Sequence, residues 1–338
     1  FMLSSGQIIC DPRNKWYQAC KQFQPDVPIH NSASLWPLYE DDIDRSEVER
    51  YYVKYISEDL RDLVRFLEKH LQRKMDWDRL WRTIELADKT IDILAECREL
   101  RKAVPTVMDT GDSMNTMVAH CFMLGTQQAY DFLSDLRDEL RYKVENKLGV
   151  VPNEKYRLAW SGGLPSWFAL TDFMYFWSKG AVFPVESTYN ELAYPVRELD
   201  LPKTNDPLEY IAWRWIRRQT YWWDAAKKRP GSDPDVERTI AYIEKYNIDG
   251  LVIHEAFSCR SWHVGLLWML NHIAKIYRPI PVLILKGGKK EKMGRELPSL
   301  VLESDIVDIS SYSEADTHAR IDAFIETVES VKSQKVEA

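Results

Sequence analysis

Two cysteines stand where short apolar runs end. Cys10 closes Gln7-Ile8-Ile9, and Cys259 follows Leu251-Val252-Ile253 with His254 and Glu255 between and Arg260 directly after. A run such as Leu251 to Ile253 reads as a strand buried on both faces, and it stops at the two ionisable residues. In an open α/β sheet ligands bind in the loops outside the carboxyl ends of strands, so His254, Cys259 and Arg260 fall at the expected reactive edge. Thiolates at two strand ends suit an iron–sulfur cluster with an incomplete cysteine set, which leaves one iron open to substrate. A nucleophilic or a merely structural cysteine is the alternative. Other sites are excluded by their wording. Gly287-Gly288-Lys289-Lys290 lacks the spacing and hydroxyl of a P-loop, Gly162-Gly163 lacks the third glycine of a dinucleotide fingerprint, and no C-x-x-C or H-E-x-x-H is present.

The elements that must carry these residues alternate as in a parallel, doubly wound sheet. Residues 1–45 read as the remainder of an N-terminal α/β domain, with a strand at Gln7–Ile9, a helix over Lys15–Phe23 and a strand at Val27–His30. Cys20 lies in phase with Trp16 and Tyr17, which points it into a core. Residues 46–150 read as a helical segment: a capping box at Ser46 and Glu49, a second helix capped by Asp76, and a third from Asp112 to Leu148, broken near Gly125 and stopped by Gly149. Cys97 and Cys121 continue these apolar stripes as small buried hydrophobes. Residues 151–338 read as a second α/β domain, with strands at Tyr156–Trp160, Ala181–Val185, Leu251–Ile253, Pro281–Leu285 and Ser299–Leu302. Its helices are expected at Phe168–Lys179, Tyr210–Ala226, Val236–Tyr246, behind an N-cap at Ser261, and Glu314–Val331. The aromatics of the Tyr210–Ala226 helix occupy several faces, so some of them are expected to meet another chain or a ligand.

Composition narrows the class. A net charge of -7 and a pI near 5.6 argue against a nucleic-acid surface as the main partner. No apolar stretch reaches bilayer length and no signal peptide is visible, which makes a cytoplasmic protein the expectation. Five cysteines over 338 residues do not form a disulfide framework. The opening at Phe1, almost directly on a strand, suggests that an N-terminal portion precedes it.

The wording of several segments goes further than their spacing. Ile9-Cys10-Asp11 with Lys15-Trp16-Tyr17, Asp249-Gly250-Leu251-Val252 with Cys259-Arg260, Leu302-Glu303-Ser304-Asp305-Ile306-Val307-Asp308 and Arg320-Ile321-Asp322-Ala323-Phe324-Ile325-Glu326 together resemble the 2-hydroxyacyl-CoA dehydratase and benzoyl-CoA reductase family. Asn153-Glu154-Lys155-Tyr156-Arg157-Leu158 and Gly163-Leu164-Pro165-Ser166-Trp167 look more like the reductase branch. The resemblance implies two flavodoxin-like α/β domains, the first truncated here, with an intervening helical segment. It also implies a [4Fe-4S] cluster held by three cysteines per subunit, of which Cys10 matches the middle one and Cys259 the last, the first lying upstream. Implied partners are a sister iron–sulfur subunit, an ATP-hydrolysing iron–sulfur activator, reduced ferredoxin as upstream donor and a CoA thioester. The activity implied is transfer of low-potential single electrons to that thioester by an aryl-CoA reductase. A redox-neutral (R)-2-hydroxyacyl-CoA dehydratase and a non-catalytic electron carrier or scaffold are the alternatives. Under this reading His254 and Glu255 are candidates for protonation or for tuning the cluster, with a hydrogen-bonded strand end as the plain alternative. Trp160, Trp167 and Tyr189 either wall a flat acyl pocket or pack a core. Gly163, Pro165, Glu186 and Arg260 complete the candidate substrate contacts.

Overall fold

The computed structural model describes residues 1–7, 11–40, 42, 44–162, 169–187, 194–259, 268, 269, 271, 273, 297–305 and 308–336. They divide into two compact units, one of Phe1–Ala95, Ala119–Phe132 and Leu192–Pro234, the other of Glu96–Val118, Leu133–Glu191 and Asp235–Ala338.

In the first unit β1 (Met2–Gln7) and β2 (Ile29–Ser34) form a parallel ladder around α1 (Asp11–Phe23). The strands lie a few residues from the segments expected. No residue of α1 is buried and Cys20 is only half-buried, so its helical phase does not take it into a core. The next helix, α2 (Arg45–Leu71), is capped by Asp44, whose carboxylate accepts from Ser46 N at 2.8 Å. The expected capping box is therefore not formed, and Glu49 does something else. Fully buried, it accepts from Arg45 Nε at 2.8 Å and from the Thr220 hydroxyl, with Arg217 Nε 3.4 Å away. Asp76 does cap α3 (Trp77–Leu100), accepting from Arg79 N at 2.9 Å. The expected aromatic helix is two helices, α7 (Pro207–Gln219) and α8 (Trp223–Lys227). Trp213 and Trp215 pack with Tyr52 and Ile56 on Val53, Ala212 and Ile216, and the buried Trp223 meets Tyr39 edge-on at 5.6 Å. Much of the aromatic surface that pointed to an outside partner is thus used inside this unit.

The third expected helix is also broken up. Residues 110–122 form short helical turns, including α4 (Thr110–Ser113), and α5 runs only over Gln127–Glu145. Lys147, at φ 53°, ends the helical path before Gly149. Cys97 is buried with its thiol 3.8 Å from Leu133 O, and burial pushes that thiol up to about 12, which suits a packing role. Cys121 is exposed rather than buried.

The second unit is a doubly wound α/β layer. β3 (Tyr156–Gly162), β4 (Ala181–Glu186), β5 (Gly250–Ala256) and β6 (Ser299–Ser304) lie in the order β4-β3-β5-β6, all parallel. The first three are buried along their whole length, the reason they read as apolar runs. One face packs Phe173 and Phe176 of α6 (Ala169–Ser178) with Ile321, Phe324 and Val328 of α10 (Glu314–Val336) on Leu158, Trp160 and Val252. The other packs Val236, Ile240 and Ile243 of α9 (Pro234–Lys245), with Met269 and Ile273, on Leu251 and Ile253. Residues 281–285, expected as a strand, lie outside the described residues.

One charged side chain interrupts β3. Arg157 is buried and spends its guanidinium on Tyr246 O at 2.8 Å, Ala103 O at 3.0 Å, Thr106 Oγ1 at 2.8 Å, Lys102 O at 3.3 Å and Glu154 Oε1 at 2.6 Å. Its backbone N–H donates to Asp249 Oδ2 at 3.1 Å and its carbonyl accepts from Asp249 N at 2.7 Å, so the same residue starts the pairing with β5. A buried charge is tolerated because each of its three nitrogens has a hydrogen-bond acceptor and Glu154 supplies the opposite charge. Arg157→Met is expected to cost about 3–5 kcal/mol in denaturant unfolding, because Glu154 and the carbonyls would be left buried without their donor.

Asp109 gives a second, pH-dependent contribution. It caps α4 through Gly111 N at 3.0 Å and accepts from Phe183 N, wholly buried. Burial pushes its carboxyl up to about 6 against the pull of those two N–H groups. Because the folded-state value lies above the unfolded one, the stabilisation this residue gives is full below about pH 4 and lost as pH rises through about 6. The loss is on the order of 3 kcal/mol. Asp109→Asn should flatten the fall in unfolding free energy between pH 4 and 7 relative to the natural chain, read by denaturant titration at each pH.

Candidate functional site at the carboxyl edge of the second sheet

The strand order reverses between β3 and β5: the chain steps from β3 outward to β4, then crosses back to β5 and on to β6. The crevice at the carboxyl ends of the two strands on either side of such a reversal is where open α/β sheets bind ligands. Here β3 ends at Gly162, which sits opposite His254 in the ladder, two residues before the end of β5. Gly162 holds φ 89°, and a Cβ on it would lie 2.4 Å from His254 O, so only glycine lets the strands meet this closely.

Around this point the sheet edge is polar yet buried. Ser161, Glu186, Ser187, His254, Glu255 and Ser304 are all buried. Ser187 N donates to Trp160 O at 3.1 Å, extending the β3–β4 pairing, and the Ser187 and Ser161 hydroxyls are 3.4 Å apart. His254 Nε2 is 2.7 Å from Ser304 Oγ, and its ring lies 6.1 Å from that of Trp160. Strand alternation puts His254 on the face of Val252 and Trp160, and Glu255 on the face of Leu251 and Ile253. The two neighbours therefore look out from opposite sides of the sheet and do not form one acid–base pair.

The expectation that the strand stops at His254 is corrected: β5 runs on to Ala256, pairing Glu255 with Glu303 and Ala256 with Ser304. Phe257 and Ser258 then turn, and Cys259 follows, half-exposed, with its N–H donating to Ala256 O at 3.0 Å. Trp160 is a core residue, with Phe173 and Phe183 at 5.1 and 5.7 Å. Glu186 ends β4 opposite Trp160. Cys10, Gly163, Pro165, Trp167, Tyr189 and Arg260 lie outside the described residues. Among the described residues, Gly162 and Ser304 were not legible as site residues from the sequence. The signal for Gly162 was a glycine ending a strand-like run. Ser304 stood inside Leu302-Glu303-Ser304-Asp305 with nothing to tie it to a histidine fifty residues earlier.

Whether the residues present suit an iron–sulfur centre is a question of donor chemistry. A free, half-exposed cysteine one turn beyond a buried strand end is a suitable thiolate donor, and Cys259 is such a residue. Buried Cys97 is not. No helix among the described residues is long and apolar enough to cross a membrane.

A parallel sheet with helices on both faces and a half-exposed thiol just beyond a central strand defines the protein as a doubly wound α/β protein. Sequence comparison gives the family within that class. Residues 2–328 match the family model described as "2-hydroxyglutaryl-CoA dehydratase, D-component", and the chain belongs to that family. It is also 26% identical over 347 aligned positions to a subunit of the benzoyl-CoA reductase of Thauera aromatica, covering 98% of this chain and 71% of that protein.

Two glycine variants test the site. Gly162→Ala and Gly180→Ala each place a side chain at positive φ against a backbone oxygen, that of His254 and that of Asn153, and each should cost roughly 1–3 kcal/mol of stability. Only Gly162→Ala should also disturb the ring resonances of His254 in an NMR spectrum, because only Gly162 lies against that residue's backbone.

Proposed function

We propose that this chain is an iron–sulfur, substrate-binding subunit of an ATP-dependent aryl-CoA reductase of the benzoyl-CoA type. The observation that carries the reading is the alignment over nearly the whole chain with a benzoyl-CoA reductase subunit. The switch-point crevice, with Cys259 at its edge, supports it. Partners under this reading are a sister iron–sulfur subunit, an ATP-hydrolysing iron–sulfur activator fed by reduced ferredoxin, and a CoA thioester, all in the cytoplasm.

Cys259, with Cys10 as a further thiolate, would hold a [4Fe-4S] cluster, which supplies low-potential single electrons when bound. The protein's own residues have the complementary tasks. His254 holds a proton on its ring at the end of β5, within a buried edge where a developing negative charge finds a donor and little water. Glu255, on the other face, is placed to orient groups on that side of the sheet. Glu186 and Arg260, with Gly163, Pro165, Trp167 and Tyr189, are the proposed contacts to the acyl-CoA. Trp160 supports the imidazole from below.

The family description favours a second reading, a subunit of an (R)-2-hydroxyacyl-CoA dehydratase. Incubating the purified complex with activator, reductant and either thioester separates the two. A cyclic diene from benzoyl-CoA is the expected result; an enoyl-CoA from a 2-hydroxyacyl-CoA would establish the dehydratase instead, and no conversion of either would point to an electron carrier. Cys259→Ala and Cys10→Ala are expected to lower the iron and sulfide content of the anaerobically purified complex and abolish turnover. Cys97→Ala should keep full iron and cost about 1 kcal/mol of packing. Full iron in Cys259→Ala would remove that residue from the ligand set.

A further inference from the structure

We infer that Ser304 is a positioning residue for His254, holding the angle of the imidazole through Nε2 from the neighbouring strand. The inference rests on the proposed function in taking His254 as the proton-holding group, and it adds a residue to which no role has been given.

The geometry begins with the register. β5 and β6 pair in parallel with His254 opposite Leu302 and Ala256 opposite Ser304. Side chains alternate along a strand, so Ser304 faces the same side as Leu300 and Leu302, which is the side of Val252, Trp160 and the His254 ring. The hydroxyl reaches His254 Nε2 at 2.7 Å, and both residues are buried. Among the described residues, Ser304 Oγ meets no other polar partner. Its position is fixed from the backbone as well, since Ser304 O accepts from Phe257 N at 3.2 Å, beyond the last residue of β5. The imidazole also lies near the indole of Trp160, 6.1 Å between centroids and tilted by 40°.

A neutral imidazole carries one N–H and one lone pair, and the partner of one ring nitrogen decides which of the two protonation patterns prevails. A hydroxyl can donate to Nε2 or accept from it, so it stabilises a neutral tautomer without forcing a charge onto the ring. A carboxylate in the same place would favour the imidazolium instead. A serine here therefore suits a histidine that exchanges a proton, and because Ser304 comes from a different strand, the ring angle depends on the β5–β6 register.

The test uses the full chain in its complex, labelled with 15N-histidine, as the natural sequence and as Ser304→Ala, Ser304→Cys and Ser304→Thr. Cysteine fills the space of serine with a weaker hydrogen bond and gives the same comparison should the alanine variant fail to fold. Alanine and cysteine are expected to move the His254 Nε2 15N shift as its hydrogen bond is lost or weakened, lower kcat about tenfold with KM unchanged, and displace the acid limb of the pH–rate profile. Threonine, which keeps the hydroxyl, should restore all three. Unchanged His254 15N shifts in the alanine and cysteine variants would overturn the inference, as would a loss of kcat that threonine does not restore. If the natural complex converts no CoA thioester, the proposed function falls. Altered 15N shifts would then leave the contact a purely structural one, and the positioning role would fall with it.

Discussion

The alignment of β3 with β5 is the constraint on which the second unit depends. Arg157 fixes it at the amino end, where backbone bonds to Asp249 and a guanidinium bonded through all three nitrogens start the ladder. Gly162 permits it at the carboxyl end, where any side chain would collide with His254 O. A slip of one residue would turn every side chain of β5 to the opposite face and exchange His254 with its apolar neighbours. The same pairing that makes the core continuous thus decides which residues reach the edge and on which side.

That edge is unusual for its burial. Parallel strands with helices on both faces have little room for polar groups, yet here two acids, three serine hydroxyls and a histidine lie buried within two residues of the strand ends. The Ser304 hydroxyl holds a short contact to the His254 imidazole, and the Ser187 and Ser161 hydroxyls face each other at a longer distance. Neutral donors and acceptors of this kind can be buried at modest cost when paired, and they leave the site able to answer a change of charge without a fixed counter-charge. The separation of His254 and Glu255 onto opposite faces divides the edge into two chemically distinct sides.

The first unit manages its polar and aromatic side chains by internal pairing. Glu49 draws Arg45, Arg217 and Thr220 onto one buried carboxylate, and Asp88 receives both the Tyr210 hydroxyl and Arg214. Arg217 and Arg218 lie over the rings of Trp213 and Trp215 at 5.5 and 4.4 Å, a favourable use of planar cations on indole faces. Trp213 and Trp215, two of the aromatics expected to meet another chain or a ligand, are drawn into such contacts within α7 and into packing on Tyr52 and Ile56 of α2.

Local pattern determined a good deal by itself. Apolar runs bounded by glycine and charge marked β3, β4 and β5, apolar spacing marked α2, α3, α9 and α10, and the alternation of the two marked a parallel, doubly wound sheet. The wording of the segments around Cys10, Cys259 and Glu303 marked the family. Tertiary structure alone decided what those patterns could not carry. Asp44 caps α2 because Glu49, the other half of the expected box, is drawn to groups on α7. β5 continues through His254 and Glu255 because β6 offers further rungs, although two ionisable residues look locally like an end. Ser304 meets His254 because strands fifty residues apart are paired in one register. Short-range preference is written in neighbouring residues, but a hydrogen bond between strands depends on the pairing of segments far apart in the chain, and no local spacing encodes that.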